Sequence, residues 1–299
     1  MLWTHDETGA RLRLGYCTNL HPAGTLEELL AGLGRVSVPL RERLVSLGAL
    51  GVGAYLAAPL ARELASPQGE SGLRELRQFL EQNGLDVFTF NAFPYGGFHE
   101  AGLKQEVFRP TWAEEERLAF TLDVAHIAEK LCPPNPERHI AISTHTGGFG
   151  TDFAEEGEAL RQAAGRNFAR AALEFAEIEK RGGPHLVLAL EAEPRSLAGD
   201  TRALADWFVE LKRIALETLS LRLDLDRADA EALLTRHLGW CLDACHAAVE
   251  FESPEGAVAD ALGSGFAFGK LQYSSALRLP EPARHPEGIE ALLALDEPR

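Results

Sequence analysis

Along the chain, short apolar runs alternate with longer stretches whose apolar residues recur at helical spacing. The short runs are rich in β-branched and aromatic residues and are bounded by turn residues, which predicts strands. They are "RLRLGYCTN" from Arg11, "LGVGAYLA" from Leu50, "DVFTFNAF" from Asp86, "HIAISTH" from His139, "HLVLALEAE" from His185, "GWCLDA" from Gly239 and "FAFGKLQYS" from Phe266, seven in all. Between them the helical spacing predicts helices over Thr25 to Leu33, Pro59 to Gln82, Thr111 to Leu131, Asp152 to Lys180, Thr201 to Leu219 and Pro254 to Leu262. In the fourth of these, Phe153, Leu160, Ala164, Phe168, Ala171, Ala172, Phe175 and Ile178 mark one buried face.

Repeated strand-helix units build either a doubly wound open sheet or a (β/α)8 barrel. The barrel is the better fit. No G-x-G-x-x-G follows the first strand, where a dinucleotide fold needs glycines against a pyrophosphate. Polar residues gather instead at the C-terminal ends of the strands, where barrel active sites are built. Segment "CPPNPE" from Cys132 reads as a turn, and no composition shift marks a linker, so a single domain over 1–299 is expected.

Composition narrows the partners. With 299 residues and 45% hydrophobic content, the chain buries a large core without disulfides or metal. The 29 basic against 45 acidic residues, a net charge of −16, argue against nucleic acid, because neutralising phosphates takes clustered Lys and Arg. Four cysteines and no secretory layout in the first residues place the protein in the cytoplasm with reduced thiols. The longest apolar runs fall far short of the roughly 20 residues that cross a bilayer, so no transmembrane segment is expected.

The strand ends carry Asn19 and His21, then Asn91, Tyr95 and His99, then His145, then Glu191 and Glu193, then Asp243 and His246, then Gln272. In a barrel all of them converge on one mouth. A carboxylate or imidazole facing the axis there loses hydration unless a cation or a polyol compensates it. Glu191 and Asp243, on adjacent strands, suit a divalent ion. Each also suits the role of helix cap, since Asp is a favoured N-cap and Pro194 marks a helix start. His246, three residues past Asp243, either orients a substrate hydroxyl or moves a proton, or is a half-exposed helix histidine.

Cys241 and Cys245 stand four apart, neither C-x-x-C nor a zinc-ribbon spacing, and read as packing residues. Glycines in "STHTGGFGTDFAEE" offer free N–H groups before a helix, yet Asp152, Glu155 and Glu156 follow and repel an anion. The aromatic "NAFPYGGFHE" loop reads either as the wall of a ligand pocket or as a plug over the barrel top.

Taken in order, "YCTNLHPAGT", "FTFNAFPYGGFH" followed by "LKQEVFRPTW", "ISTHTGGF", "LEAEP", "LDACHAAVEFE" and "GKLQYSSALRLP" resemble the xylose-isomerase-like TIM barrels, the superfamily of sugar isomerases and epimerases. Within it the chain most resembles the TIM-barrel member of the Ebo-type metabolite traffic proteins. The resemblance covers nearly the whole chain. In the epimerase branch it implies a divalent metal, Mg, Mn or Zn, held by Glu, Asp, His and Glu from four strands, with a further histidine three residues after the Asp. Glu191 and Asp243 match the first two ligands and His246 the further, substrate-facing histidine. The third ligand position falls on Gln272, without the imidazole. The resemblance places the last glutamate on an eighth strand, and the chain ends at Arg299 before one, so the domain is expected to be incomplete at its C terminus or closed differently. Open sheet edges would then invite a homo-oligomer.

Two functions follow from the resemblance. In one, the barrel binds or hands over a small-molecule metabolite with a degenerate metal site. In the other, it is a metal-dependent isomerase or epimerase in which Glu191 and Asp243 hold the ion, Glu191, His246 and His145 serve catalysis, and Asn19, His21, Asn91, Tyr95 and His99 bind substrate. Phosphodiester cleavage, found in the endonuclease branch, is opposed by the acidic charge.

Overall fold

A computed structural model describes residues 2–4, 11–45, 48–96, 106–155, 157–223 and 225–295. Seven strands form one all-parallel sheet in sequential order: β3 (Gly15–Cys17), β4 (Leu50–Tyr55), β5 (Leu85–Asn91), β6 (Ile140–His145), β7 (Leu186–Glu191), β8 (Leu238–Asp243) and β9 (Ala267–Gln272). Ahead of them β1 (Leu2–Thr4) and β2 (Arg11–Arg13) make a separate antiparallel pair. The run expected as one first strand therefore divides at Leu14: its first half pairs with β1 and its second half enters the main sheet.

The sheet is curled. In a flat sheet β5 and β9, four strand spacings apart, would be separated by roughly 19 Å. Yet Lys270 Nζ on β9 donates to the Phe90 carbonyl of β5 at 3.3 Å, and His139, just before β6, donates from Nε2 to the Gly269 carbonyl at 2.7 Å. Sequential parallel order with this curvature is a TIM-barrel-type architecture of seven strands, with β3 and β9 as its edges among the described residues. Ala141, Ala189 and Cys241 form a small cluster apart from the main core, which holds their strand neighbours Ile140, Ile142, Leu188, Leu190 and Trp240. That alternation separates an inner face of small residues from an outer face covered by helices. Small residues let the walls approach: a Cβ on Gly239 would stand 2.3 Å from the Ala267 carbonyl oxygen.

The helical layer comprises α1 (Leu26–Gly32), α2 (Val38–Leu44), α3 (Ala58–Ala65), α4 (Glu70–Gln82), α5 (Glu115–Leu131), α6 (Gly150–Glu155), α7 (Gly157–Lys180), α8 (Thr201–Leu223), α9 (Arg227–His237), α10 (Ala244–Val249), α11 (Pro254–Gly263) and α12 (Pro286–Leu293). Thr25 and Glu28 close a capping box on α1. The long helix expected from Pro59 to Gln82 breaks at Ser66-Pro67-Gln68-Gly69. Proline forces Ser66 into an extended conformation, and Ser66 Oγ accepts from Gly69 N at 3.2 Å to start the next turn. Gly69 is needed there, since a Cβ would fall 2.1 Å from the Glu63 carbonyl oxygen. The face expected on α7 is fully buried at Ala164, Phe168, Ala171, Ala172, Phe175 and Ile178. Helix α9, not expected from the sequence, packs beside α7 and α8 with only Ala230, Leu234 and His237 buried, too narrow an apolar stripe to stand out.

Candidate functional site

Three strands deliver the central side chains. Glu191 ends β7, Asp243 ends β8 and Gln272 ends β9. Glu191 is in register with Cys241, so Asp243 rises one pleat higher. A bulge between Trp240 and Cys241 shifts β9, pairing Cys241 with Lys270 and Asp243 with Gln272. That shift turns Lys270 and Gln272 to the same inner face as the two acids. Glu191 is 4% and Asp243 8% exposed.

Gln272 Nε2 donates to Glu191 Oε1 at 2.7 Å and to Asp243 Oδ2 at 2.8 Å. Carboxylates only accept, so the amide turns its NH2 toward both. Asp243 Oδ1 accepts from Ser274 Oγ at 2.5 Å, Cys245 N at 2.8 Å and His246 N at 3.3 Å. Asp243 thus caps α10 while its second oxygen faces the mouth. Glu191 Oε2 accepts from Cys241 Sγ at 3.5 Å, and His246 Nδ1 lies 3.3 Å from Glu191 Oε1 and 3.2 Å from the Ala192 carbonyl oxygen. A carbonyl demands a proton on Nδ1, which leaves His246 Nε2 as an acceptor in the neutral ring.

Burial pushes the Glu191 carboxyl above its ordinary range, with His246 opposing and the Asp243 charge adding to the rise. Burial acts the same way on Asp243, but the bonds from Ser274 and Cys245 and the nearby His246 outweigh it and hold that carboxyl below its usual value. Glu193, two residues beyond β7, is pushed up to about 8 by burial and then by the Glu191 and Asp243 charges. The mouth therefore offers one firmly ionised carboxylate, one carboxylate tied to an amide, and one acid that keeps its proton near neutrality. Burial also raises the thiols, Cys245 to about 11 and Cys241 above its ordinary value, so neither is a thiolate.

Metal fits this donor set poorly as it is folded. Gln272 presents a donor where a ligand oxygen is required, and its NH2 stands between the two acids, on the Glu191 and Asp243 oxygens that would otherwise share an ion. Asp243, Cys245 and His246 do bring one ligand atom each within 4.8 Å of the others, but Asp243 Oδ1 already accepts three bonds, Oδ2 accepts from Gln272, and Cys245 is protonated.

The other expected site residues divide. His145 pairs in register with Glu191 but is fully buried against Phe93 and Phe108, ring centroids 5.4 and 5.7 Å away. Burial drives its pKa well below the ordinary value, the Arg117 charge adding to the fall and a backbone bond to Pro110 opposing it, and Nδ1 accepts from Gly147 N at 3.3 Å. Asn91 Oδ1 accepts from Phe93 N at 2.9 Å, shaping the loop that follows β5. Tyr95 turns toward the helices, its hydroxyl 3.4 Å from Arg62, where edge-on packing against Phe120 at 5.4 Å and the Arg117 guanidinium 5.7 Å from its ring hold it. The aromatic loop is thus packed down over Ala92 to Tyr95, and His99 lies outside the described residues. His21 Nε2 meets Tyr16 Oη at 2.9 Å beyond β3, and Asn19 is half-buried in the same turn.

Three contributors escaped the sequence reading, and a fourth was read only in part. Lys270, facing inward, opposes the rise of the Glu191 pKa. Ser274 secures Asp243. Glu193 was visible only as a strand-end acid. Arg117, fully buried on α5, donates to the carbonyls of Phe93 at 2.7 Å, Ala92 at 3.0 Å and Pro110 at 2.9 Å, holding together the two loops over His145. The period-two spacing of Lys270, Gln272 and Ser274 was a signal for the first two, whereas Arg117 follows Glu114, Glu115 and Glu116 and nothing local marked it as buried.

Fold and site together define a parallel β/α barrel-type protein whose polar groups gather at the C-terminal mouth. Known proteins add little to that. No protein-family profile matches the chain, and no curated protein matches its sequence. Among solved structures, the apo form of 3-keto-D-glucoside 4-epimerase, YcjR, from E. coli matches with a TM-score of 0.45 and 13% identity over 94% of this chain and 98% of its own. The IOLI protein, crystallised with a binding zinc atom, matches with a TM-score of 0.44 and 11% identity over 85% of this chain and 70% of its own. Both likenesses are distant, and it is the chain's own strand order and curvature that define the fold. Among the described residues no helix is long and apolar enough to cross a membrane.

Proposed function

We propose that the chain binds a small, uncharged polyhydroxylated metabolite at the C-terminal mouth, in keeping with its resemblance to metabolite-handling TIM barrels, and that it does so without a resident metal. One observation carries this reading: the Gln272 amide hydrogen-bonds both Glu191 and Asp243, filling with a neutral donor the place a divalent cation would need. The remaining groups suit hydroxyls. His246 Nε2 accepts, the protonated Glu193 carboxyl donates, and Glu191 accepts. A dense set of donors and acceptors on rigid strand ends is how barrel proteins fix the orientation of a polar ligand.

The test is a thermal-shift and calorimetric screen of free aldoses, ketoses and polyols, run in EDTA and again with Mn2+. Binding that persists under chelation, weakens in Glu191→Gln and His246→Asn, and leaves ligand C–H bonds unexchanged in D2O supports the proposal. A metal-dependent isomerase or epimerase is the competing outcome. It requires Mn2+ binding that is lost in Glu191→Ala and Asp243→Ala, together with deuterium uptake into the sugar.

A further inference from the structure

At the opposite end of the strands a second group of side chains comes together. His139, His185 and His237 immediately precede β6, β7 and β8, and their rings form a row, with centroids 5.9 Å and then 5.4 Å apart. His237 Nδ1 meets the Leu186 carbonyl oxygen at 2.8 Å, and His185 Nε2 meets the Arg236 carbonyl oxygen at 3.1 Å. Carbonyls only accept, so those nitrogens carry the protons. Each neutral ring is left with one free lone pair, on His237 Nε2 and on His185 Nδ1. Glu179, near the end of α7, directs Oε2 at His237 Nε2 from 3.5 Å, two acceptors face to face. One ligand atom from each of Glu179, His185 and His237 lies within 4.8 Å of the other two.

We infer that Glu179, His185 and His237 form a site for a borderline divalent transition-metal ion of the Zn2+ or Co2+ kind, separate from the mouth. Two imidazoles and a carboxylate are a recognised tetrahedral donor set whose fourth position water completes. The second ring nitrogen of each histidine is bonded to a backbone carbonyl, the outer contact that metal-bound histidines use to fix tautomer and orientation. Arg236 already pairs with Glu179, Nε to Oε2 at 2.8 Å and Nη2 to Oε1 at 2.5 Å. Each carboxylate oxygen has a second lone pair, so the guanidinium does not block the ion, although its charge moderates affinity. His185 and Glu191 stand at opposite ends of β7, roughly 20 Å apart at strand spacing. Metal here joins the end of α7, the start of β7 and the end of α9, so binding it braces three segments against one another.

The experiment titrates the full chain with Zn2+, followed by equilibrium dialysis and melting temperature, and with Co2+, followed by the visible absorption of a tetrahedral complex. It is repeated on Glu191→Gln/Asp243→Asn, which silences the mouth, and on His185→Gln and Glu179→Gln. The two single variants are used because His237 is buried and its replacement endangers folding; circular dichroism confirms that they fold. Wild type and the mouth variant should bind about one equivalent, with a tetrahedral Co2+ spectrum and a raised melting temperature. His185→Gln and Glu179→Gln should weaken binding at least about tenfold. Equal affinity in these two variants, or binding lost only in the mouth variant, overturns the inference.

Discussion

Replacing Gln272 by glutamate tests the central bridge directly. The substitution is nearly isosteric, so it changes charge and donor capacity while preserving packing. Gln272 donates to two carboxylates at 2.7 and 2.8 Å. Hydrogen bonds to charged groups contribute about 1.5–3 kcal/mol each, so losing both costs about 3–6 kcal/mol. Three ionised carboxylates cannot share the space, since two charges 4 Å apart repel by about 4 kcal/mol at an effective dielectric near 20. Gln272→Glu should therefore keep a proton in the folded state well above the usual Glu range. A folded acid whose pKa is raised binds more protons than the unfolded chain, so stability falls as pH rises through that window. Near about pH 5 the protonated side chain still donates one bond and about half the cost remains; near about pH 8 the full cost appears, a drop in melting temperature on the order of 10 °C. Mn2+ should restore much of it at about pH 8, because three acids make a competent hard-ion site. The assay is thermal unfolding at both pH values with and without Mn2+, beside Gln272→Met as a neutral control. A Gln272→Glu protein that melts like wild type at the higher pH, or that gains nothing more from Mn2+ than wild type does, refutes the bridging role.

Other perturbations read the surroundings of the site. Arg117→Met strips the donors from the carbonyls of Ala92, Phe93 and Pro110 and should cost about 3 kcal/mol or more, seen as a lower urea midpoint with an unchanged slope; an unmoved midpoint would show that water replaces the guanidinium. Glu193 has its folded pKa raised from 4.5 to about 8, so the wild type should lose stability as pH climbs through that interval and stay level above it. Glu193→Gln should flatten that slope in pH-dependent denaturation, and an identical slope in both proteins would place the titration elsewhere.

Much of the architecture was legible because it rests on local signals. The alternation of apolar runs with helical spacing located the strands of the parallel sheet, since strands buried on both faces need continuous apolar sequence. Helix α7 showed its buried face at Phe168, Ala171, Ala172, Phe175 and Ile178. The hairpin of Leu2–Thr4 with Arg11–Arg13 did not show, because one continuous apolar run served two partners and only pairing divides it. The single helix expected across Pro59 to Gln82 failed at Pro67, where a ring without an N–H outweighs the apolar period on either side.

At the site, strand-end position singled out Glu191, Asp243 and Gln272 from residue type and order along the chain. What each side chain does there was a tertiary decision. The bulge at Trp240 and Cys241 turned Lys270 and Gln272 inward, which no local pattern announces. Tyr95 and His145 carry the right chemistry at the right strand ends, yet one packs on the outer helices and the other lies under Phe93 and Phe108. The row of His139, His185 and His237 arises because strands far apart in sequence start side by side. By itself the sequence determined which residues stand at each strand's end, because hydrophobic period and turn chemistry are local; the tertiary structure alone decided which of them meet, because register, curl and burial depend on contacts between distant segments.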